Sequence, residues 1–203
     1  MNCKPFLYFI LASSIFFACT PSNEELLDKA YKLGKQQKYD EAIKIYAQII
    51  SRNNQIQLAY YNRGIDYLAQ KSYQQAFNDF NRVLSLQTVG DFHIRYNENP
   101  PVADDVARTQ VPYNDALYER AIVKFYMDSI RSSFVDFQTL VDDNYEQKSN
   151  CIMWQGILWV KTGKSEKGCE YFHKARQVAI RLADQQEADH MIKTYCPDIK
   201  NNK

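Results

Sequence analysis

Two hydrophobic patterns divide the chain. From Phe6 to Ala18 apolar residues follow one another almost without a break. Beyond Pro21 they recur every three or four positions, the period of an amphipathic helix. The opening run is too short to cross a bilayer, which takes about 20 apolar residues. Preceded by one charge, Lys4, it reads as the h-region of a secretory signal over residues 1–18. No later stretch is comparably apolar, so none is expected to span a membrane.

The periodic part repeats. Small residues stand in pairs 12 apart: Ala30 and Ala42, Gly64 and Ala76, Ala121 and Ser133, Gly156 and Gly168. Ala42 to Ala76 is 34 residues, and Ser133 to Gly168 is 35. Tyr39 and Tyr73 each precede a small residue by three, and Tyr46, Phe80, Phe137 and Phe172 follow one by four. Three further on are Ile49, Val83, Leu140 and Ala175. Where two helices cross most closely, a side chain larger than Ala or Ser would push the backbones apart, and large residues one turn away fill the groove beside the contact.

With this spacing, and with the segment from Ala59 through Gly64 and Tyr73 to Leu84, the chain resembles the tetratricopeptide repeat (TPR) family. The resemblance implies an all-α fold, an α-solenoid of about four helix pairs over residues 26–196. The pairs fall near 23–56, 57–90, 114–148 and 149–182. A last amphipathic segment at 183–196 carries Ala183, Ala188, Met191, Ile192 and Tyr195 on one face. It reads as the capping helix that a solenoid end requires, with 197–203 as a tail.

Repeats two and three are not adjacent. Ala76 to Ser133 is 57 residues, which leaves an insertion of 23 at about 91–113. Pro100, Pro101 and Pro112 oppose a long regular helix there. The alternation of Phe92, Ile94 and Tyr96 suits a short extended segment laid against the protein, and insertions of this kind mark either function or a tolerated loop.

In TPR proteins the first helices of the repeats line a concave surface. By that resemblance the lining here comprises Leu58, Tyr61, Asn62, Ile65 and Leu68 from repeat two, Tyr118, Ile122, Phe125 and Tyr126 from repeat three, and Met153 and Ile157 from repeat four. Such an apolar, aromatic face suits a peptide or helix of a partner. Asn62 matches the position from which many TPR modules hold a ligand backbone. The basic residues of the chaperone-type carboxylate clamp are missing, since Asp115 and Asn150 stand in their place.

The stretch Ile15-Phe16-Phe17-Ala18-Cys19 resembles a bacterial lipobox of the looser Bacteroidetes type. The resemblance implies cleavage before Cys19, a diacylglycerol thioether and an N-acyl chain such as palmitate on that residue, and stable membrane anchoring. Thr20 stands where an Asp would retain an enterobacterial lipoprotein in the inner membrane, so outer-membrane residence is expected, facing the periplasm or the cell surface. Residues 19–25 form a short tether, with a reach of about 20 Å over Thr20–Glu25, and Asn23-Glu24-Glu25 resembles an acidic surface-export tag.

Removal of residues 1–18 takes Lys4 alone among the charges and leaves 24 basic against 24 acidic residues. That balance argues against a nucleic-acid partner, which calls for a basic stripe. An exported chain permits disulfides. Cys169 opens the second helix of repeat four and Cys196 ends the antiparallel capping helix, so these two are the pair expected if a bridge forms. Cys151 lies most of a helix length away, and small free core cysteines are the alternative. Catalysis finds little support. His93, His173 and His190 lack metal-ligand spacing. Gly163-Lys164-Ser165 would need a Gly where Leu158 stands to form a phosphate loop, and Asp104-Asp105 and Asp142-Asp143 read as solvated carboxylates. The expected function is non-enzymatic and cofactor-free: a membrane-anchored scaffold binding a protein or peptide in the cell envelope. It resembles TPR lipoproteins of outer-membrane assembly, pilus or cell-wall machinery, but departs from the barrel-assembly type in its four repeats and its insertion. The alternative is a glycan or small-ligand binding accessory lipoprotein of an outer-membrane uptake system, with a polar pocket built by the insertion.

Overall fold

The structure is a computed structural model that describes residues 20–86 and 110–196. Cys19, the signal segment, most of the insertion and the tail at 197–203 lie outside the described residues. The described residues form α-helices and turns, with no strand. Four antiparallel pairs follow in order: α1 (Asn23–Lys35) with α2 (Tyr39–Arg52), α3 (Gln57–Ala69) with α4 (Tyr73–Ser85), α5 (Tyr113–Tyr126) with α6 (Ile130–Asp142), and α7 (Lys148–Lys161) with α8 (Ser165–Val178). The closing helix is α9 (Leu182–Tyr195). Each helix packs on its sequence neighbours, the stacking of a solenoid. None is long and apolar enough to cross a membrane.

Each pair is drawn together at its small residues. A Cβ on Gly64 would lie 2.9 Å from Phe80 Cε1, and one on Gly156 would lie 2.5 Å from Phe172 Cε1. In repeat three Ser133 fits by donating its hydroxyl to the Ala121 carbonyl at 2.7 Å. Beside these contacts Tyr46, Phe80, Phe137 and Phe172 are fully buried, each contributing roughly 1.5–3 kcal/mol. An ion pair recurs in the two middle repeats. Arg63 grips Asp79 through two bonds of 2.8 and 2.7 Å, and Arg120 grips Asp136 through two of 2.9 Å.

The turn inside every pair has one geometry. Gln37, Lys71, Asp128 and Gly163 occupy the same register position, and all four adopt positive φ, from 58° to 79°. The next amide donates to the carbonyl five residues back, as Lys38 to Leu33, Ser72 to Tyr67, Ser129 to Lys124 and Lys164 to Trp159. This is the Schellman closure of a helix end.

Where α4 meets α5 the stack continues as at the other junctions. Arg120 reaches across to the Asn81 side chain at 2.9 Å. The buried Gln57 side chain holds both ends of the connection, donating to the Leu86 carbonyl at 3.3 Å and accepting from the Val111 amide at 3.0 Å. The expected insertion is therefore shorter at its C-terminal end, because Val111 is buried and Tyr113 already begins α5. The expected tether also shortens. Ser22 caps α1 in a reciprocal capping box with Glu25, which leaves only Thr20–Ser22 ahead of the helix and places Glu24 and Glu25 in its first turn. In α9, Ala188 is buried, whereas Ala183 is exposed and Asp184 is buried instead.

Candidate functional site

The first helices of repeats two to four, α3, α5 and α7, carry the expected lining. Leu58 and Tyr61 pack against Val83, Val111 and Ala116, and the Tyr61 ring also meets Phe80 edge-on at 5.8 Å. They join repeats two and three and are half-buried. Asn62 turns toward repeat one, where its amide is hydrogen-bonded to the Tyr46 hydroxyl, so it is engaged within the protein. Ile65, Leu68, Ile122 and Ile157 are half-buried. Met153 requires a correction: at 4 % exposure it belongs to the core with Leu117 and Phe137 and is not available to a partner. Its side chain is buried among the packed faces of repeats three and four.

What the structure brings together is an aromatic strip over repeats three and four. Tyr126, 47 % exposed, stacks on Tyr73 at 5.2 Å and meets Phe125 edge-on at 5.3 Å. Phe125 meets Trp154 at 5.2 Å, and Trp154 in turn stacks on the buried Phe137 at 5.9 Å. The Trp154 indole N–H donates to the Tyr118 hydroxyl at 3.2 Å. The Lys161 ammonium sits 4.5 Å from the Phe125 ring centre and is spoken for by Asp128 at 3.0 Å and the Phe125 carbonyl at 3.1 Å. Trp154 was absent from the expected lining. It occupies the register position of Asn62, two residues before the small residue, so the signal was present in the sequence.

The strip is edged by carboxylates. Asp115 accepts a hydrogen bond from the Tyr145 hydroxyl at 2.7 Å. Glu119, one turn on and also in the Asn62 register position, is half-buried, and burial together with the neighbouring Asp115 raises its carboxyl to about 7. The Tyr61 hydroxyl is driven up first by burial and further by Glu119 and Asp115; that of Tyr118 is driven up by burial, against the Trp154 hydrogen bond, and further by Cys151 and Glu119. Glu187 of α9 acts on Tyr118 from the far side. Among the described residues no ion pair reaches Asp115, Glu119 or Glu187.

A second polar centre lies on the flank of α3 toward repeat one. Asp66 is 5 % exposed, and its Oδ2 finds no hydrogen-bond partner. Burial raises its carboxyl to about 6. A Cβ on Gly34 would lie 2.7 Å from Asp66 Oδ1.

The remaining chemistry is structural. Cys169 and Cys196 form a disulfide with Cα atoms 5.6 Å apart, which pins the end of α9 to the start of α8. Cys151 is a buried thiol pushed up to about 12 by desolvation. Gly163, Lys164 and Ser165 make the α7–α8 turn, where residues 163–167 line an open hollow of about 420 Å³. Its lysines stack on Trp159, Lys164 at 5.1 Å and Lys167 at 4.1 Å. His173 and His190 are exposed and His93 lies outside the described residues. Among the described residues no three His, Cys, Asp or Glu side chains gather as metal ligands would.

The chain matches no known family model. Solved structures resemble it at low sequence identity. A MamA RS-1 double mutant aligns over 85 % of this chain and 84 % of its own with a TM-score of 0.60 at 16 % identity. A Podosopora anserina putative kinesin light chain with nearly identical TPR-like repeats reaches 0.62 over 85 % and 84 % at 10 % identity. YrrB, described as a TPR protein with an unusual peptide-binding site, reaches 0.55 over 85 % and 77 % at 14 % identity. Together with the helix pairs these likenesses show that the fold is an α-solenoid of TPR-like repeats.

Proposed function

We propose that the chain is a non-catalytic scaffold that holds a protein or peptide partner on the lining of α3, α5 and α7, and that Cys19 anchors it by lipid in the outer membrane. The observation that carries the binding part is the aromatic strip of Tyr118, Phe125, Tyr126 and Trp154, linked ring to ring and reaching the surface at Tyr126. Rigid aromatic side chains give large contact area at small entropic cost, and such residues dominate binding hot spots. One of the similar solved structures, YrrB, has a peptide-binding site by its own description, which fits this use of the fold. The anchor is supported by the apolar run Phe6–Ala18 ending at Cys19.

Affinity capture from detergent-solubilised envelope, comparing the natural chain with Ile122→Ser plus Tyr126→Ala, tests the binding surface. Tyr126 is 47 % exposed and Ile122 is only partly buried, so the variant should fold and lose the captured protein. An unchanged set of captured proteins would refute the assignment. Cys19→Ser should release the chain into the soluble fraction. Continued tight membrane association would refute the lipid anchor.

A further inference from the structure

We propose that the partner segment received by this lining is cationic, presenting lysine or arginine side chains between apolar ones. The inference rests on the reading that the lining is the docking surface, and it adds the charge of the occupant.

The lining lacks a side chain at one place, and a buried acid stands there instead. Four residues beyond the small residue of the first helix, repeats two and three place Leu68 and Phe125, and repeat one places Gly34. The Asp66 carboxylate lies in the space a side chain there would fill, with Oδ1 at 2.7 Å from the Gly34 Cβ position. Asp66 is almost fully buried and its Oδ2 is unpartnered. The polar neighbours in this niche are Tyr46, held by Asn62, and beyond it Tyr31. None of these brings a positive charge. The nearby Lys35 ammonium lies 5.2 Å over the Tyr31 ring. A buried carboxylate without a counter-charge is costly, and an ammonium or guanidinium docked beside Gly34 would supply that counter-charge.

The second centre repeats this logic on α5. Asp115 and Glu119 stand at the register positions of Leu58 and Asn62, so repeat three replaces a neutral pair by two acids. Neither is in an ion pair, while Lys161, the cation on the strip, is held by Asp128. Tyr126, 47 % exposed, offers ring surface to the aliphatic stems and charged heads of Lys and Arg. A partner offering carboxylates would meet Asp66 at one centre and Asp115 with Glu119 at the other; Arg181, whose charge also reaches Tyr118, is paired with Asp184.

The test uses residues 20–203 and labelled peptides with alternating lysine and leucine, set against twins with glutamate or glutamine for lysine, followed by fluorescence anisotropy. The lysine peptide should bind, more weakly as salt is added, and the glutamate twin should not. Asp115→Asn plus Glu119→Gln should weaken the lysine peptide about tenfold, and Asp66→Asn severalfold. Asp142→Asn plus Asp143→Asn removes two carboxylates at an exposed site and should leave binding unchanged. Equal or tighter binding of the glutamate twin, an equal loss in the Asp142/Asp143 variant, or no binding of the lysine peptide overturns the proposal. Should the glutamate or glutamine twin bind and Tyr126→Ala abolish it, the docking surface stands and the charge assignment alone fails.

Discussion

Replacing Asp66 by Asn should stabilise the protein at neutral pH, against the usual cost of changing a buried residue. The carboxyl is almost fully buried with one oxygen unpartnered, and burial lifts it from 3.8 to about 6. The folded chain therefore holds this proton more tightly than the unfolded chain does. Its contribution is most favourable below the unfolded value, falls as pH rises from about 4, and levels off above about 6. A shift of this size at 1.36 kcal/mol per unit amounts to about 3 kcal/mol of lost stability at pH 8. Asparagine has nearly the same shape and carries no charge, so it removes that penalty. Urea unfolding of both chains at pH 4, 6 and 8 should give nearly equal midpoints at the lowest pH and a growing advantage for Asp66→Asn above it. A variant less stable than the natural chain at pH 8, or a difference that does not vary with pH, would refute the reasoning.

Two further outcomes follow from the turns and the closing helix. Lys71 is held at φ 61° and Gly163 at 79° in the same turn; Lys71→Gly should raise stability by about 0.5 kcal/mol, strain relief being partly offset by chain entropy, and Gly163→Ala should lower it by about 1 kcal/mol, read by thermal unfolding. The disulfide closes 27 residues of sequence separation, so Cys169→Ser plus Cys196→Ser should cost about 3–4 kcal/mol; amide hydrogen exchange should place the first loss of protection in α9, and uniform loosening of all repeats would contradict this.

The helix pairs were legible because a close crossing tolerates only small side chains, and Gly64, Ala76, Gly156 and Gly168 recur at fixed spacing for that reason. The aromatic strip was mostly legible too, since register alone places Tyr118, Phe125 and Tyr126 on one helix face. Met153 was misplaced because register gives a direction and not a depth. Asp66 is not legible in the sequence because its character depends on Gly34, 32 residues away, and among the described residues no ion pair reaches it. The paired Arg63–Asp79 and Arg120–Asp136 bridges could have been found, since both span 16 residues at equivalent positions. The positive-φ turns at Gln37, Lys71 and Asp128 could not be read from composition, because only Gly163 carries the residue that such backbone favours.

The central claim, that the lining of the first helices receives a partner protein, is tested most directly by site-specific photo-crosslinking in cells. A photoreactive phenylalanine would replace Tyr126 on the strip, and in a second chain Val135, which is 56 % exposed on a second helix. A discrete adduct from position 126, absent from position 135 and lost on adding Ile122→Ser, is the predicted result. Adducts from position 135 with none from 126 would contradict the account.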